Sequence, residues 1–253
     1  MTESETATKI WLIIPAAGVG SRMQADRPKQ YLPLNGRPII EHTLERLARA
    51  LPQAECVICL SPDDPYWPTV QRPEGMTLHE APGGKERADS VLNGLKMIAS
   101  QASENDWVLV HDVARPCVRA SDIADLVTGL KDSDIGGILA LPVADTMKRS
   151  HPDGSISETV DRTALWHALT PQMFRFGRLY LALEDGLAAG ATITDEASAL
   201  EWLGFCPQLI TGHRDNIKVT HPDDLAFAEL FIRAQQEQSK TDCSEVSQAG
   251  LAP

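Results

Sequence analysis

The chain has 253 residues, 43% of them hydrophobic and 23% charged, with a formal net charge of −12. That length can bury a sizeable core as one domain, and the composition is that of an ordinary globular protein. The acidic balance argues against general binding to nucleic acid or membrane surfaces, which shows as an excess of positive charge; a local basic cluster can still hold a small polyanion.

The N-terminal "MTESETATK" is polar and acid-bearing, unlike a signal or transit peptide. No apolar run approaches the roughly 18 residues of a membrane span. The chain is therefore expected to work in a reducing cytoplasm, away from membranes and nucleic acid. Its cysteines, Cys56, Cys59, Cys117, Cys206 and Cys243, follow no regular spacing. Cys56 and Cys59 lie in "CVIC" within an apolar run, where a strand points them to opposite faces. They read as buried free thiols rather than a redox or zinc pair.

In chain order, "KIWLIIP" reads as a buried strand and "IIEHTLERLARAL" as a helix with apolar residues at helical spacing. "AECVICL" is a second strand and "MTLHEA" a shorter one. "ERADSVLNGLKMIASQ" is an amphipathic helix with Val91, Leu95 and Ile98 on one side. "DWVLVHD" is a strand, "SDIADLVTGLK" a helix with Ser121 as its N-cap, and "IGGILALPV" another strand.

Between Pro142 and Leu169 the pattern breaks. "DTMKRSHPDGSISETVDR" has two polar arms around the turn sequence "HPDG" and little apolar material. A β-hairpin arm at about 142–168 is expected, packing on a partner, most economically a second copy. "FGRLYLALEDGLAAG" and "DEASALEWLG" are helical, "CPQLITG" and "NIKVT" strands, and "PDDLAFAELFIRAQ" a closing helix with Pro222 near its first turn. The alternation predicts one α/β domain over residues 10–235, a mainly parallel sheet with helices on both faces. Residues 1–9 are expected to be a flexible lead and 236–253 a disordered tail.

Directly behind the first strand, "PAAGVGSRM" is followed by Lys29, seven residues after Arg22. A glycine-rich turn between strand and helix lets backbone amides approach a phosphate. Gly18 and Gly20 fit the dinucleotide fingerprint, but Met23 stands at its third glycine, and no segment supplies a P-loop. What remains is a loop in which Ala16 and Ala17 leave room for a base or sugar. Gly18 and Gly20 bring amides to phosphates, Arg22 offers a fork of donors and Lys29 a compact charge.

Ligands of open α/β sheets bind beyond the carboxyl ends of the strands. At those ends "PGGKERADSV" offers Gly83 and Gly84, with Arg87 and Ser90 reaching back from a helix. "HDVARP" offers Asp112, suited to a hydrated magnesium ion that fills its octahedron with phosphate oxygens and water. His111 beside it reads equally as an acid–base group or a packed histidine. Later loops add Thr146 on the hairpin, Arg162 in "VDR", Thr170 in "ALTPQ", Thr194 before "DEAS", and Asp215 and Lys218 in "DNIKV". Thr194 also reads as a helix N-cap. No G-x-S-x-G elbow or metal-spaced histidine pair appears, and only Cys117 lies in a loop with cations. An attacking phosphate monoester, with a second pKa of about 6, needs no general base. Aligning it with a nucleotide's α-phosphate and neutralising charge is work for fixed cations and a metal.

The series "PAAGVGSRM…PKQYLPLNGRPII", "GGKERADSV", "VHDVARP", "DTMKR", "VDRTALWHALTPQ", "TDEASALE" and "DNIKVT" resembles 2-C-methyl-D-erythritol 4-phosphate cytidylyltransferases from about Ile10 to Ile232. The resemblance implies a Rossmann-like domain, a homodimer with an exchanged β-arm, and a magnesium-dependent step of non-mevalonate isoprenoid synthesis from CTP and 2-C-methyl-D-erythritol 4-phosphate. It implies transition-state stabilisation by Arg22 and Lys29, and positioning of the sugar phosphate by Arg162 and Lys218. Thr146 would touch that phosphate in the partner's site. Ala16, Ala17, Gly18, Gly20, Gly83, Gly84, Arg87, Ser90, Asp112 and Val113 would form the CTP pocket, with Arg115, Thr170 and Thr194 toward the acceptor. Magnesium falls on Asp112, with Asp215 near the metal or the sugar. Val113 replaces the family's frequent alanine, which tightens the ribose pocket, and Lys85 has no assigned role. The rivals are a cytidylyltransferase for another polyol phosphate such as ribitol phosphate, a CTP-sensing protein without turnover, and a UTP- or GTP-dependent pyrophosphorylase.

Overall fold

Trp11 and Ile13 alternate with Leu12 and Ile14 along the first strand, and all four are fully buried. Side chains of period two that are apolar on both faces require cover on both faces. The computed structural model describes residues 8–18, 20–23 and 25–249, with side chains up to 238 apart from that of Ser21. In it the strand β1 (Ile10–Pro15) is followed by short pairing strands β2 (Pro33–Leu34) and β3 (Arg37–Pro38), helix α1 (Ile39–Ala50), β4 (Glu55–Leu60), β5 (Leu78–Pro82), α2 (Arg87–Ile98), β6 (Trp107–Val110), α3 (Ala120–Leu130) and β7 (Gly136–Pro142). The arm strands β8 (Met147–Ser150) and β9 (Ile156–Val160) come next, then β10 (Trp166–Arg175), α4 (Phe176–Ala188), α5 (Glu196–Trp202), β11 (Gln208–Thr211) and α6 (Asp223–Ala249).

Seven strands form one sheet in the order β11-β7-β10-β6-β1-β4-β5. All pairings are parallel except those of β10, which runs antiparallel to β6 and β7. Leu12, Ile14, Cys56, Leu109 and Leu139 pack on one face with residues of α1 and α3, and Trp11, Ile13, Cys59, Val110 and Ala140 on the other with α2, α4 and α5. Cys56 and Cys59 therefore do lie on opposite faces. Both are buried free thiols, and burial raises their pKa, that of Cys59 to about 12.

Several elements differ from expectation. β10 fills a stretch read as hairpin and loop. Its ladder to β7 is interrupted between Ala168 and Gln172, around Pro171, so proline is accommodated where a ladder bond is absent. Ser121 is not the N-cap of α3: the helix starts at Ala120, and Arg119 stands at the cap without a side-chain cap bond. "NIKVT" is irregular chain rather than strand, tied across the strand ends by Val219 N–H to Ala114 O (2.8 Å) and Asn216 Nδ2 to Thr170 O (2.8 Å). The last helix continues through 236–249, read as disordered, because no glycine or proline interrupts it before Gly250. Residues 1–7 and 250–253 of the expected flexible ends lie outside the described residues. Among the described residues, no helix is long and apolar enough to cross a membrane.

Candidate active site

β1 ends at Pro15, and its loop folds back under local bonds. Gln30 donates from Nε2 to Ala16 O at 2.6 Å, and Ser61 Oγ donates to Ala17 O at 2.9 Å. Two glycines are required here by close approach. A Cβ on Gly83 would lie 2.2 Å from that of Ala17. Gly20 has φ +67°, and a Cβ there would meet the Lys29 stem at 2.8 Å. Gly20 thus lets Lys29 cross the loop, where its ammonium donates to Val219 O at 3.0 Å.

A cavity of about 500 Å³ opens at this loop. Ala16, Ala17, Gly18, Gly20, Arg22, Lys29, Gly84, Arg87, Ser90, Asp112, Val113 and Lys218 line it, together with Lys85, Glu86 and Ala114. The sequence assigned most of these residues to one pocket, and the fold brings them together. Gly83 lies beneath the wall, bonded through N–H to Leu60 O. Five cations and two carboxylates line the cavity, in a chain of net charge −12. Burial, with repulsion from Lys218, lowers the Lys29 pKa to about 8.

Asp112 is the hub. Its Oδ1 accepts from Arg87 Nε at 2.8 Å, and its Oδ2 meets Lys218 Nζ at 2.8 Å and Arg115 Nε at 3.4 Å. Burial alone would raise its pKa, but Arg87, Lys218 and Arg115 hold it far below the usual carboxylate range. Arg87 uses its remaining fork on Glu196, at 2.6 and 3.1 Å. Glu196, at the start of α5, was not picked out from sequence. It is buried, and burial raises its pKa despite the arginine. Glu196→Ala leaves Arg87 with Asp112 alone and should cost about 2 kcal/mol in urea unfolding.

A second cavity of about 260 Å³ shares Arg87, Asp112 and Lys218 with the first, and adds Arg115, Leu169, Thr170, Gln172, Thr194 and Asp195. Asp195, not Thr194, caps α5, accepting from Ser198 N–H at 2.9 Å. His111 is a packed group. Its Nε2 lies 3.1 Å from the Arg115 carbonyl, which only accepts, so Nε2 carries the proton and Nδ1 accepts from the Thr170 hydroxyl at 3.0 Å. Burial lowers its pKa to about 4, so it is neutral at neutral pH. The ring closes through Arg115 Nη1 to Asn216 O (2.7 Å) and Asn216 Nδ2 to Thr170 O, holding three loops against Asp112.

Three expected residues lie elsewhere. Thr146 and Arg162 are exposed on the arm, Arg162 bonded to Ala144 O, and neither lines the cavities of its own chain. Asp215 gives Oδ2 to Arg119, at 2.6 and 2.8 Å, and to Gln235, at 2.7 Å. Cys117 is fully buried with its pKa pushed up by burial to about 12, which removes it as a nucleophile. Among the described residues, no three histidine, cysteine or acidic side chains cluster as a metal site.

The family described as 2-C-methyl-D-erythritol 4-phosphate cytidylyltransferase matches residues 10–234. A protein of that name from Ectopseudomonas mendocina is 54% identical over 222 residues, 87% of this chain and 94% of the relative. One from Vibrio atlanticus is 52% identical over 225 residues, 89% of this chain and 96% of the relative. Among solved structures, one described as 4-diphosphocytidyl-2C-methyl-D-erythritol synthase superposes with a TM-score of 0.78 at 38% identity, over 90% of this chain and all of the other. The Francisella tularensis 2-C-methyl-D-erythritol 4-phosphate cytidylyltransferase gives 0.76 at 35% identity, over 88% of this chain and all of the other.

Proposed function

The chain belongs to the 2-C-methyl-D-erythritol 4-phosphate cytidylyltransferase family, and from that premise we propose how its residues carry the reaction. It is a nucleotidyltransferase of non-mevalonate isoprenoid biosynthesis. CMP passes from CTP to 2-C-methyl-D-erythritol 4-phosphate, giving 4-diphosphocytidyl-2-C-methyl-D-erythritol and pyrophosphate.

The observation that carries the residue-level reading is the pair of adjoining cavities sharing Arg87, Asp112 and Lys218. The larger takes CTP, with Ala16, Ala17, Gly18, Gly20, Gly83, Gly84, Ser90 and Val113 shaping the base and sugar pocket and Arg22 and Lys29 on the triphosphate. The smaller takes the acceptor beside Arg115, Thr170, Thr194 and Lys218. An oxygen of the acceptor phosphate attacks the α-phosphorus, and the bond to the β-phosphate bridging oxygen breaks, so pyrophosphate leaves with the electron pair. That phosphate, with a second pKa of about 6, is already ionised at neutral pH and needs no base. Arg87 has both ends on carboxylates, so its part is to hold Asp112 in place. Negative charge gathering at phosphorus is met by Lys29, Arg22 and Lys218.

Magnesium fits at Asp112, the one carboxylate common to both cavity walls and kept ionised by its neighbours. Lys218, the most exposed of the three cations paired with Asp112, would turn to the phosphates to admit the ion. Bound there, magnesium would neutralise phosphate charge. Asp215 is turned to Arg119 and Gln235, so we assign the metal to Asp112.

The arm carries exposed Met147, Ile156, Leu165 and Trp166. With Thr146 and Arg162 away from their own cavities, this supports a homodimer in which each arm completes the partner's acceptor site. The free cysteines suit a cytoplasmic enzyme.

Pyrophosphate release, measured with CTP, magnesium and polyol phosphates omitted in turn, tests the assignment. Release should require 2-C-methyl-D-erythritol 4-phosphate; equal release with ribitol phosphate would overturn it. A pH profile tests Lys29. Because kcat/KM reports the free enzyme, it should fall as pH rises through about 8, where Lys29 loses its proton. Bound phosphates raise that pKa, so kcat should hold to higher pH, and Lys29→Arg should remove the limb.

A further inference from the structure

A third cavity, of about 510 Å³, lies between α1, the start of α3 and α6, lined by none of the residues placed in the catalytic site. Four arginines line it: Arg37, Arg46, Arg49 and Arg119. Three have carboxylates. Arg37 pairs with Glu41 and Glu45, Arg49 with Glu45, and Arg119 with Asp215. Arg46 differs. Its Nη1 donates to the Val118 carbonyl at 3.0 Å and to Gln235 Oε1 at 2.6 Å, both neutral acceptors. Among the described residues, no carboxylate comes within ion-pair distance of Arg46, and no acceptor meets its Nε or Nη2. Burial is the largest influence on its pKa and lowers it, although Asp215 and Glu45 act on it from beyond ion-pair distance.

The same wall carries the start of α3, where Ala120 and Ser121 line the cavity. This 11-residue helix has no side-chain cap at Arg119, so its first amides keep free donors at the positive end of the helix dipole. A guanidinium with unused donors and an uncapped helix start thus meet in one space large enough for a small metabolite. We propose that this cavity is an anion site for a phosphate or diphosphate group, held by Arg46, Arg49 and the first-turn amides of α3.

The site is wired to the catalytic loop. Gln235 bonds both Arg46 and Asp215, and Arg119 bonds Asp215, three residues before Lys218. An anion that draws on Arg119 or Arg46 loosens the anchor of the segment carrying Lys218.

The test is calorimetric titration at constant ionic strength with inorganic phosphate, pyrophosphate and ethyl phosphate. It uses the full-length Arg22→Ala/Lys29→Ala protein, whose catalytic cavity has lost two phosphate-binding cations. Binding should survive in that variant. Adding Ser121→Asp, which places a carboxylate where a helix start favours it, should weaken binding about tenfold or more with the fold intact by circular dichroism. Arg49→Gln, on an exposed side chain, should weaken it in the same direction. Binding of the inorganic ions identifies a free anion as the ligand, and binding of ethyl phosphate alone identifies a phosphorylated metabolite. Binding unchanged by both Ser121→Asp and Arg49→Gln, or no heat with any of the three anions, would overturn the proposal.

Discussion

Lys29→Ala should lower kcat by about two to three orders of magnitude, with a much smaller change in the KM for CTP, measured as steady-state pyrophosphate release. The loop is built around this side chain. Gly20 takes a left-handed conformation and forgoes a Cβ so that the lysine stem can cross, and the ammonium is fixed on Val219 O at 3.0 Å. Arg22 is exposed at the mouth, whereas Lys29 lies further in among Lys218, Asp112 and Arg115. Its pKa of about 8 reflects a cation held in a partly desolvated place beside other cations. That repulsion is relieved by whichever species brings most negative charge to the spot. The five-coordinate phosphorus brings more than ground-state CTP, so the stabilisation falls mainly on the transition state. If KM for CTP rose while kcat held, Lys29 would bind substrate and transition state alike, and this role would be lost.

Why Lys29 stands out as a candidate in the sequence, and Glu196 does not, is a matter of which signals are local. Glycines and cations in one short loop declare a phosphate site once the dinucleotide and P-loop spacings fail. Buried strands such as Glu55–Leu60 show as continuous apolar runs because both sheet faces are covered. β10 hid because Pro171, His167 and Gln172 interrupt its apolar character, and its place between β6 and β7 depends on pairings far away in sequence. Glu196 hid because an acid in a first helical turn is ordinary dipole chemistry; only the fold brings Arg87 to it from 109 residues away. The same distant pairing ties Arg87, on the wall of the larger cavity, to both Asp112 and Glu196. Asp215 was visible as a carboxylate beside Lys218 in sequence, but adjacent side chains in an irregular segment diverge, and Arg119 draws it away from the cavities.

Mixing two inactive proteins separates an arm that serves its own chain from one that serves a second copy. Arg162→Ala removes one cation of the arm and Arg22→Ala one of the loop, and each should be nearly inactive alone, Arg162→Ala chiefly through a raised KM for the sugar phosphate. After co-refolding at equal amounts, half the dimers are mixed. With exchanged arms, each mixed dimer has one site with an intact loop and an intact partner arm and one site lacking both. Activity should therefore return to about one quarter of wild type by subunit statistics. Arms that serve their own chain would return nothing, because every site would carry one lesion. The physical reason to expect exchange is that the hairpin cannot bury itself: Ile156 remains 65% exposed and Trp166 38% exposed. Two isolated strands are at best marginally stable in water, so this arm needs a surface to pack on. Its Thr146 and Arg162 line neither cavity of their own chain. In the proposed homodimer a second copy would supply both the missing cover for the apolar residues and a phosphate for the arginine. Mixed dimers confirmed by mass spectrometry, yet without activity, would leave the arm as a packing element and return sugar-phosphate binding to Lys218 and Arg115 alone.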